Sequence, residues 1–315
     1  MKKVIFVGGT EFSGSTFFHM ILANDAHGLA IGEAHNMMRP SRPYHFKMHC
    51  SCGEHPCSLW QSLRDEGEES LYSSLFSRFP EAEFIVDSSK NPFWIQDQKA
   101  ILRKQGIGTQ DIVVWKTPYE FATSYQKRGN MEAWERSWMI YHQIYNSIFD
   151  RWNSIPYHDL TSDRKALEAV CSYLDIPYFD GKERYWDRTH HHVVGGNPSA
   201  RVHLYSESSA DFAENVRRSS SKIDVIRNET HRSIYYDTKI DPLVKESVDS
   251  RIEANEQIPA IFELLQALDV RGESVNQGVN EAISENVKMP RYLIELRKVK
   301  YRLVRYWANL RYGRN

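Results

Sequence analysis

The chain has 315 residues, 40 Lys/Arg against 41 Asp/Glu, a net charge of −1, and 41% hydrophobic residues with 12% aromatics. That composition excludes a disordered chain, allows a sizeable core, and argues against nucleic acid as a partner. The even balance hides an asymmetry. From Lys288 onward nine Lys/Arg stand against the single acid Glu295, so residues 1–287 carry about −9 and the tail is basic.

The apolar run Val4–Val7 leads into a turn of small residues, Gly8 to Thr16, after which Phe17, Phe18, Met20, Ile21 and Leu22 recur at helical spacing. Strand, glycine-rich turn and helix are predicted. Such a turn presents backbone N–H groups at the positive end of a helix dipole and suits a phosphate or sulfate. The spacing Gly9-x4-Gly14-Ser15-Thr16 is that of a Walker loop with Ser15 in the lysine position, which disfavours ATP or GTP hydrolysis; a plain strand–helix turn is the alternative. Four apolar residues after Met1-Lys2-Lys3 are too few for a secretory signal. No stretch approaches the roughly 18–20 apolar residues that span a bilayer, so a cytoplasmic location is expected.

Next, Leu29–Gly32 reads as a short strand ending in Glu33-Ala34-His35, followed by a Pro-, His- and Cys-rich insertion over 40–60. Within it, Cys50-x-Cys52-Gly53-x3-Cys57 is compatible with structural thiols, a metal site or a disulfide. One or two helices are expected from Trp60 to Phe79. Phe84–Asp87 is a strand running into Ser88-Ser89-Lys90-Asn91-Pro92, and Trp94–Lys104 a helix. Asp111–Trp115 is the next strand, followed by Lys116-Thr117-Pro118 and a helix from Tyr119 to Gln126. A long aromatic helix over Glu132–Trp152, a last strand over Ile155–Leu160 and a helix over Arg164–Leu174 complete the alternation. The pattern predicts a three-layer α/β/α fold with a central parallel sheet, like that of P-loop NTPases. In such sheets ligands bind beyond the carboxyl ends of the strands, where four polar clusters converge: 10–16, 33–35, 87–90 and 116–124. Residues 1–270 read as one α/β domain with lid loops over 187–236. Residues 271–285 read as a linker and 286–315 as a basic amphipathic helical tail.

Four of these motifs together resemble the sulfotransferases that use 3′-phosphoadenosine 5′-phosphosulfate (PAPS), especially the bacterial and carbohydrate-type branch. Ser13-Gly14-Ser15-Thr16 is similar to the family's 5′-phosphosulfate loop, and Lys116-Thr117-Pro118-x5-Ser124, with Arg128 a turn later, to its 3′-phosphate motif. Val86-Asp87-Ser88-Ser89-Lys90-x-Pro92 and Cys50-x-Cys52-Gly53…Cys57-x2-Trp60 also resemble bacterial members. His192-x3-Gly196-Asn197-Pro198 resembles the loop that covers the donor. The resemblance spans about residues 4–200. It implies PAPS as donor and PAP (3′-phosphoadenosine 5′-phosphate) as product, with contacts from Phe12, Ser13, Gly14, Ser15, Thr16, Phe17, Lys116, Ser124, Arg128, Gly196 and Asn197. The sequence departs from the family at Phe12, where a Lys or Arg usually precedes Ser-Gly, and at Lys116, which keeps the charge of an Arg without its bidentate fork.

Sulfuryl transfer asks for positioning and fixed positive charge. Lys90 is the expected cation at the transferring group, and Glu33, then His35, then Asp87, are the expected general bases. No metal is expected: adjacent histidines in an extended His190-His191-His192 point to opposite faces and cannot all ligate one ion. The acceptor is expected to be a small-molecule, carbohydrate or lipid hydroxyl or amine. A P-loop small-molecule kinase and a non-catalytic nucleotide- or glycan-binding relative are the alternatives. Leu293, Leu296, Leu303, Trp307 and Leu310 recur near heptad spacing among Lys/Arg, so residues 286–315 are expected either to dimerise or pack on the acidic body, or to lie on an anionic membrane surface.

Overall fold

The computed structural model describes residues 2–54, 56–185, 191–197, 200, 240–272 and 283–313. Five strands form one sheet: β1 (Lys3–Gly8), β2 (Gly28–Gly32), β3 (Phe84–Asp87), β4 (Gly108–Trp115) and β5 (Asn153–Pro156), in the order β2-β3-β1-β4-β5. Every pairing is parallel, with Phe6 opposite both Asp87 and Asp111 in the central register. All five carboxyl ends therefore open on one edge of the sheet.

Both faces of the sheet are covered, as the continuous apolar runs require. Alternate residues of β1 serve different layers. Val4 and Phe6 join a core with Trp60, Leu63, Tyr72, Trp94, Phe121, Trp138 and Tyr145. Ile5 and Val7 join Phe18, Ile21, Tyr157, Leu167 and Val170 on the other side. The first layer is built by α3 (Ser58–Glu66), α4 (Leu71–Arg78), α5 (Pro92–Lys104), α6 (Pro118–Gln126), α7 (Trp134–Ile148) and the helices Pro242–Ala254 and Gln257–Ala267. The second holds α1 (Ser15–Leu22), α8 (Tyr157–Ser162) and α9 (Arg164–Tyr173). The three-layer α/β/α prediction holds.

Some boundaries differ from the sequence expectation. The last strand stops at Pro156, and Tyr157–Ser162 is helical rather than extended. Pro156 has no N–H for a ladder, while Tyr157, Leu160 and Thr161 are buried at i, i+3, i+4 spacing, which one helix face satisfies. The aromatic helix runs Trp134–Ile148, shorter at both ends than expected. The helices Pro242–Ala254 and Gln257–Ala267 meet at Asn255, whose side chain accepts from Gln257 N. Most of the expected lid, 187–236, lies outside the described residues.

The tail forms one helix, Arg291–Tyr312. Ile294 and Ala308 are buried, and Tyr301 stacks at 6.1 Å on His35 of α2 (Ala34–Met38) and meets Phe93 at a tilt, 6.2 Å away. The opposite face leaves Leu296, Leu303 and Trp307 at 60, 53 and 65% exposure. No helix among the described residues is long and apolar enough to cross a membrane.

Candidate functional site

The β1–α1 loop turns sharply at Gly14, whose φ of 92° is left-handed and whose Cβ position would fall 2.1 Å from the Tyr157 ring. Only glycine fits there. α1 begins at Ser15 with no side-chain cap and no acid in its first turn, so the dipole end faces the loop uncompensated by carboxylate. Around it lie buried hydroxyls: Thr10 Oγ1, Ser13 Oγ and, from the end of β3, Ser88 Oγ. None of these three has a hydrogen-bond partner. A buried hydroxyl left in this state costs free energy unless a ligand satisfies it. Thr16 Oγ1 accepts from Asn197 N at 2.9 Å, and a Cβ on Gly196 would fall 2.7 Å from the same oxygen. Gly196-Asn197 thus closes over the loop, as the sequence motif implies. Phe17 turns its ring into the core between Tyr157 and Tyr185, so only its backbone belongs to the loop.

A second cluster forms at the ends of β4 and β5. Thr117 caps α6 in a reciprocal capping box with Glu120, which fixes Lys116 just outside the helix. Lys116 Nζ donates to Ser124 Oγ at 3.3 Å and lies 5.0 Å from the centre of the Tyr157 ring. Arg128 falls beyond the end of α6 rather than on its face; its guanidinium donates to Ser124 O at 2.6 Å and stacks on Phe12, 3.7 Å from the ring centre. Phe12 has a left-handed φ of 64° and meets Tyr125 edge-on at 5.6 Å. The residue that departs from the resemblance is therefore the platform for the outer cation. A cation–π contact of this kind is worth about 0.5–2 kcal/mol.

A third cluster joins the ends of β2 and β3. Lys90 and Glu33 form an ion pair, and the other Glu33 oxygen accepts from Asn36 Nδ2 at 2.6 Å. Lys90 has φ 61°; with Phe12 it makes two of the three left-handed non-glycine residues described, and both sit at this edge. Asp87 holds the cluster from below. It is fully buried and accepts from Tyr72 OH at 2.5 Å, Trp94 Nε1 at 3.2 Å and Ser89 N at 2.6 Å. Ser89 Oγ also donates to Asp87 and in turn accepts from His35 N at 3.0 Å. Burial pushes the Asp87 carboxyl above its ordinary range, against the pull of those donors. With its oxygens so engaged and no exposure, Asp87 positions the turn and is poorly placed to take a substrate proton. His35 is also buried, and burial with nearby Lys90, Arg39, His45 and Arg305 lowers its imidazole to about 3, so it is neutral. Its Nδ1 has no hydrogen-bond partner and its ring is covered by Trp94 and Tyr301.

The sequence-predicted residues thus separate into a loop cluster, a Lys116–Ser124–Arg128 cluster and a Lys90–Glu33 cluster along one sheet edge. Sequence reasoning missed Tyr157, which packs on both the loop glycine and Lys116; its place directly after β5 was a usable signal. It also missed Tyr141, whose hydroxyl accepts from Gly9 N at 2.6 Å from the midpoint of α7. No sequence pattern marks that contact.

Nine chains of solved structures resemble this one, the following two among them. One is the sulfotransferase domain from the curacin biosynthetic pathway, 15% identical, with a TM-score of 0.47 over 80% of this chain and 98% of that one. The other is the sulfotransferase domain from the Synechococcus PCC 7002 olefin synthase, 14% identical, with a TM-score of 0.44 over 92% of this chain and 96% of that one. No family model matches the chain, and no curated protein does.

Proposed function

We propose that the protein is a PAPS-dependent sulfotransferase that moves a sulfuryl group to a hydroxyl or amine of a small-molecule, carbohydrate or lipid acceptor. The observation that carries this reading is the pairing of two anion-binding clusters on neighbouring strand ends. One is the β1–α1 loop with its unpartnered buried Thr10, Ser13 and Ser88 hydroxyls; the other is Lys116, Ser124 and Arg128. A nucleotide with a 5′-phosphosulfate and a separate 3′-phosphate asks for two such clusters. A kinase reading would place a lysine where Ser15 stands.

The donor supplies an activated sulfuryl group, and the acceptor oxygen or nitrogen forms the new bond to sulfur as the bond to the 5′-phosphate breaks. The residues of this chain do the rest. The loop N–H groups and hydroxyls hold the 5′ end, and Lys116, Ser124 and Arg128 hold the 3′-phosphate. Lys90 stabilises charge on the transferring oxygens, a contribution that fixed charge in a dry site typically makes at roughly 10²–10³-fold per group. Glu33, already hydrogen-bonded beside Lys90, takes the acceptor's proton. Calorimetric titration should give micromolar PAP affinity and none for ATP, and ³⁵S should pass from labelled PAPS to members of an acceptor panel. Binding of neither nucleotide below about millimolar sinks the reading; PAP binding without transfer leaves the non-catalytic relative.

We also propose that the outer face of the helix Arg291–Tyr312 contacts an anionic surface. Its exposed Leu296, Leu303 and Trp307 stripe is flanked by the exposed cations Lys300, Arg302 and Arg311, charges that complement anionic lipid and repel a second copy of the same helix.

A further inference from the structure

The cysteine knuckle plays no part in the transfer just described, yet it is among the most organised polar clusters in the molecule. Cys50, Cys52, Cys57 and His192 bring four ligand atoms within 4.8 Å of one another. Cys50 Sγ lies 3.5 Å and Cys57 Sγ 3.6 Å from His192 Nδ1. At a tetrahedral Zn²⁺ with Zn–S of about 2.3 Å and Zn–N of about 2.0–2.1 Å, the sulfur–nitrogen edge is about 3.5 Å. The observed separations match that edge.

We propose that Cys50, Cys52, Cys57 and His192 form a structural Zn²⁺ site. Three thiols and one imidazole converge on one point, a set that a disulfide would leave with one thiol over. Soft sulfur ligands in tetrahedral array select Zn²⁺ over Mg²⁺ or Ca²⁺. Cys57 occupies the N-cap position of α3, where the helix dipole favours the thiolate that a metal needs. Four protein ligands fill a tetrahedron and leave no open position, so the ion holds structure and performs no chemistry on substrate. Binding releases the thiol protons to solvent.

The surroundings fix the ligands in place. Trp60 Nε1 donates to His192 O at 3.0 Å, and Phe79 lies 5.8 Å from the His192 ring. Ser51 N donates to Val193 O at 3.0 Å, Val193 N donates to Ser51 Oγ at 3.0 Å, and Cys50 and Val194 form an antiparallel bridge. The histidine alternation expected from the sequence is present: His191 turns inward, its Nδ1 accepting from Ala30 N at 3.2 Å, while His192 faces the thiols. One histidine of the run is enough to complete the set.

The site would staple a segment that matters. Val194 N donates to Ile31 O at 3.1 Å and Glu33 N to Val194 O at 2.7 Å, so the segment extends the sheet beyond β2. Within three residues of Val194 it reaches Gly196-Asn197 on the donor loop and passes Glu33, to which a Cβ on Gly195 would approach within 2.9 Å. The ion thus ties the knuckle to the strand that orders both Glu33 and the loop cover.

The test reads metal, not turnover, so its outcome is independent of the transfer reaction. Full-length protein purified without chelator should contain about one zinc per chain by plasma mass spectrometry. Cys57→Ser and His192→Ala proteins should each lose most of it. Because those variants could unfold, the wild-type chain gives a second reading. After removal of zinc under reducing conditions, titration with Co²⁺ should give the intense visible bands of a tetrahedral ion and a thiolate charge-transfer band, saturating at one equivalent. Ellman's reagent should find three more reactive thiols in the zinc-free chain than in the loaded one. A folded, zinc-free native protein with no tetrahedral Co²⁺ spectrum overturns the proposal, as does an octahedral spectrum without thiolate charge transfer.

Discussion

The two ends of the sheet edge hold their cations in opposite ways. At the β2–β3 end Lys90 is locked to the carboxylate of Glu33, both side chains under a fifth exposed. At the β4–β5 end Lys116 and Arg128 rest on a hydroxyl, a backbone carbonyl and the faces of Tyr157 and Phe12. Hydroxyl, carbonyl and ring contacts position these cations, with the Glu11 charge acting on Arg128, and in the proposed transfer this end takes the 3′-phosphate. In the proposed transfer the ion pair at the other end orients an acceptor hydroxyl with one partner and deprotonates it with the other. The proposed function gives donor binding to one end and chemistry to the other.

The comparison is broken most decisively at Lys90 and Glu33. Lys90→Ala should lower turnover roughly 10²–10³-fold, and Glu33→Gln roughly 10²–10⁴-fold, with PAP affinity nearly unchanged in both. Because each single change strands a half-buried charge, the double variant should lose less than the product of the two. Additive losses, or a matching loss of PAP affinity, would merge the two ends into one. At the other end the pattern reverses. Lys116→Ala and Ser124→Ala should weaken PAP binding by about 1.5–3 kcal/mol, roughly 10–150-fold, while turnover at saturating donor changes little. Calorimetry and saturation kinetics separate these outcomes.

Acidification sharpens the same contrast, since neutral His35 lies beneath the Lys90 end. Its pKa is about 3 in the folded chain against 6.5 unfolded. The unfolded state therefore binds the extra proton, and the stability His35 contributes is complete above pH 6.5 and lost as pH falls toward 3. At pH 5 the loss is about 2 kcal/mol, a fall in melting temperature of roughly 3 °C for a chain of this length from this residue alone. A His35→Gln protein should show a flatter dependence on pH between 7 and 5; an unchanged slope would remove His35 from the account. A smaller effect is expected at Phe12. Phe12→Leu removes the ring under Arg128 and should cost about 0.5–2 kcal/mol of PAP affinity, with turnover intact. Least of all should the outer helix face affect chemistry. Leu303→Glu with Trp307→Glu should abolish cosedimentation with anionic vesicles and leave PAP affinity within about twofold, since neither side chain is buried. Retained partitioning, or a change from dimer to monomer on the column, would assign that face to protein contact instead.

Much of this was legible in order along the chain. Val4–Val7 and Ile112–Trp115 are unbroken apolar runs that only a strand covered on both faces can bury, and Gly14 marks a turn no other residue could make. The capping box of Thr117 and Glu120, three residues apart, is equally local, although sequence reasoning missed it. Those features depend on neighbours within a few positions, and sequence displays such neighbours directly.

What tertiary structure alone decided are the pairings across the sheet edge. Lys90 and Glu33 are 57 residues apart, and Asp87, a plausible base by position, proved to be a buried anchor because Tyr72 and Trp94 arrive from two different helices. The bare spacing of Cys50, Cys52 and Cys57 favoured structural thiols over a metal site and a disulfide, until His192 came to rest 3.5 Å from Cys50 across 142 residues. A side chain's charge state and partners depend on burial and distance, and parallel strands bring together residues whose separation in sequence is set by the length of the intervening helices. The opening loop shows both halves: its fold follows from Gly14 and the apolar runs beside it, and its chemistry from Arg128, which reached Phe12 only through the packing of α6.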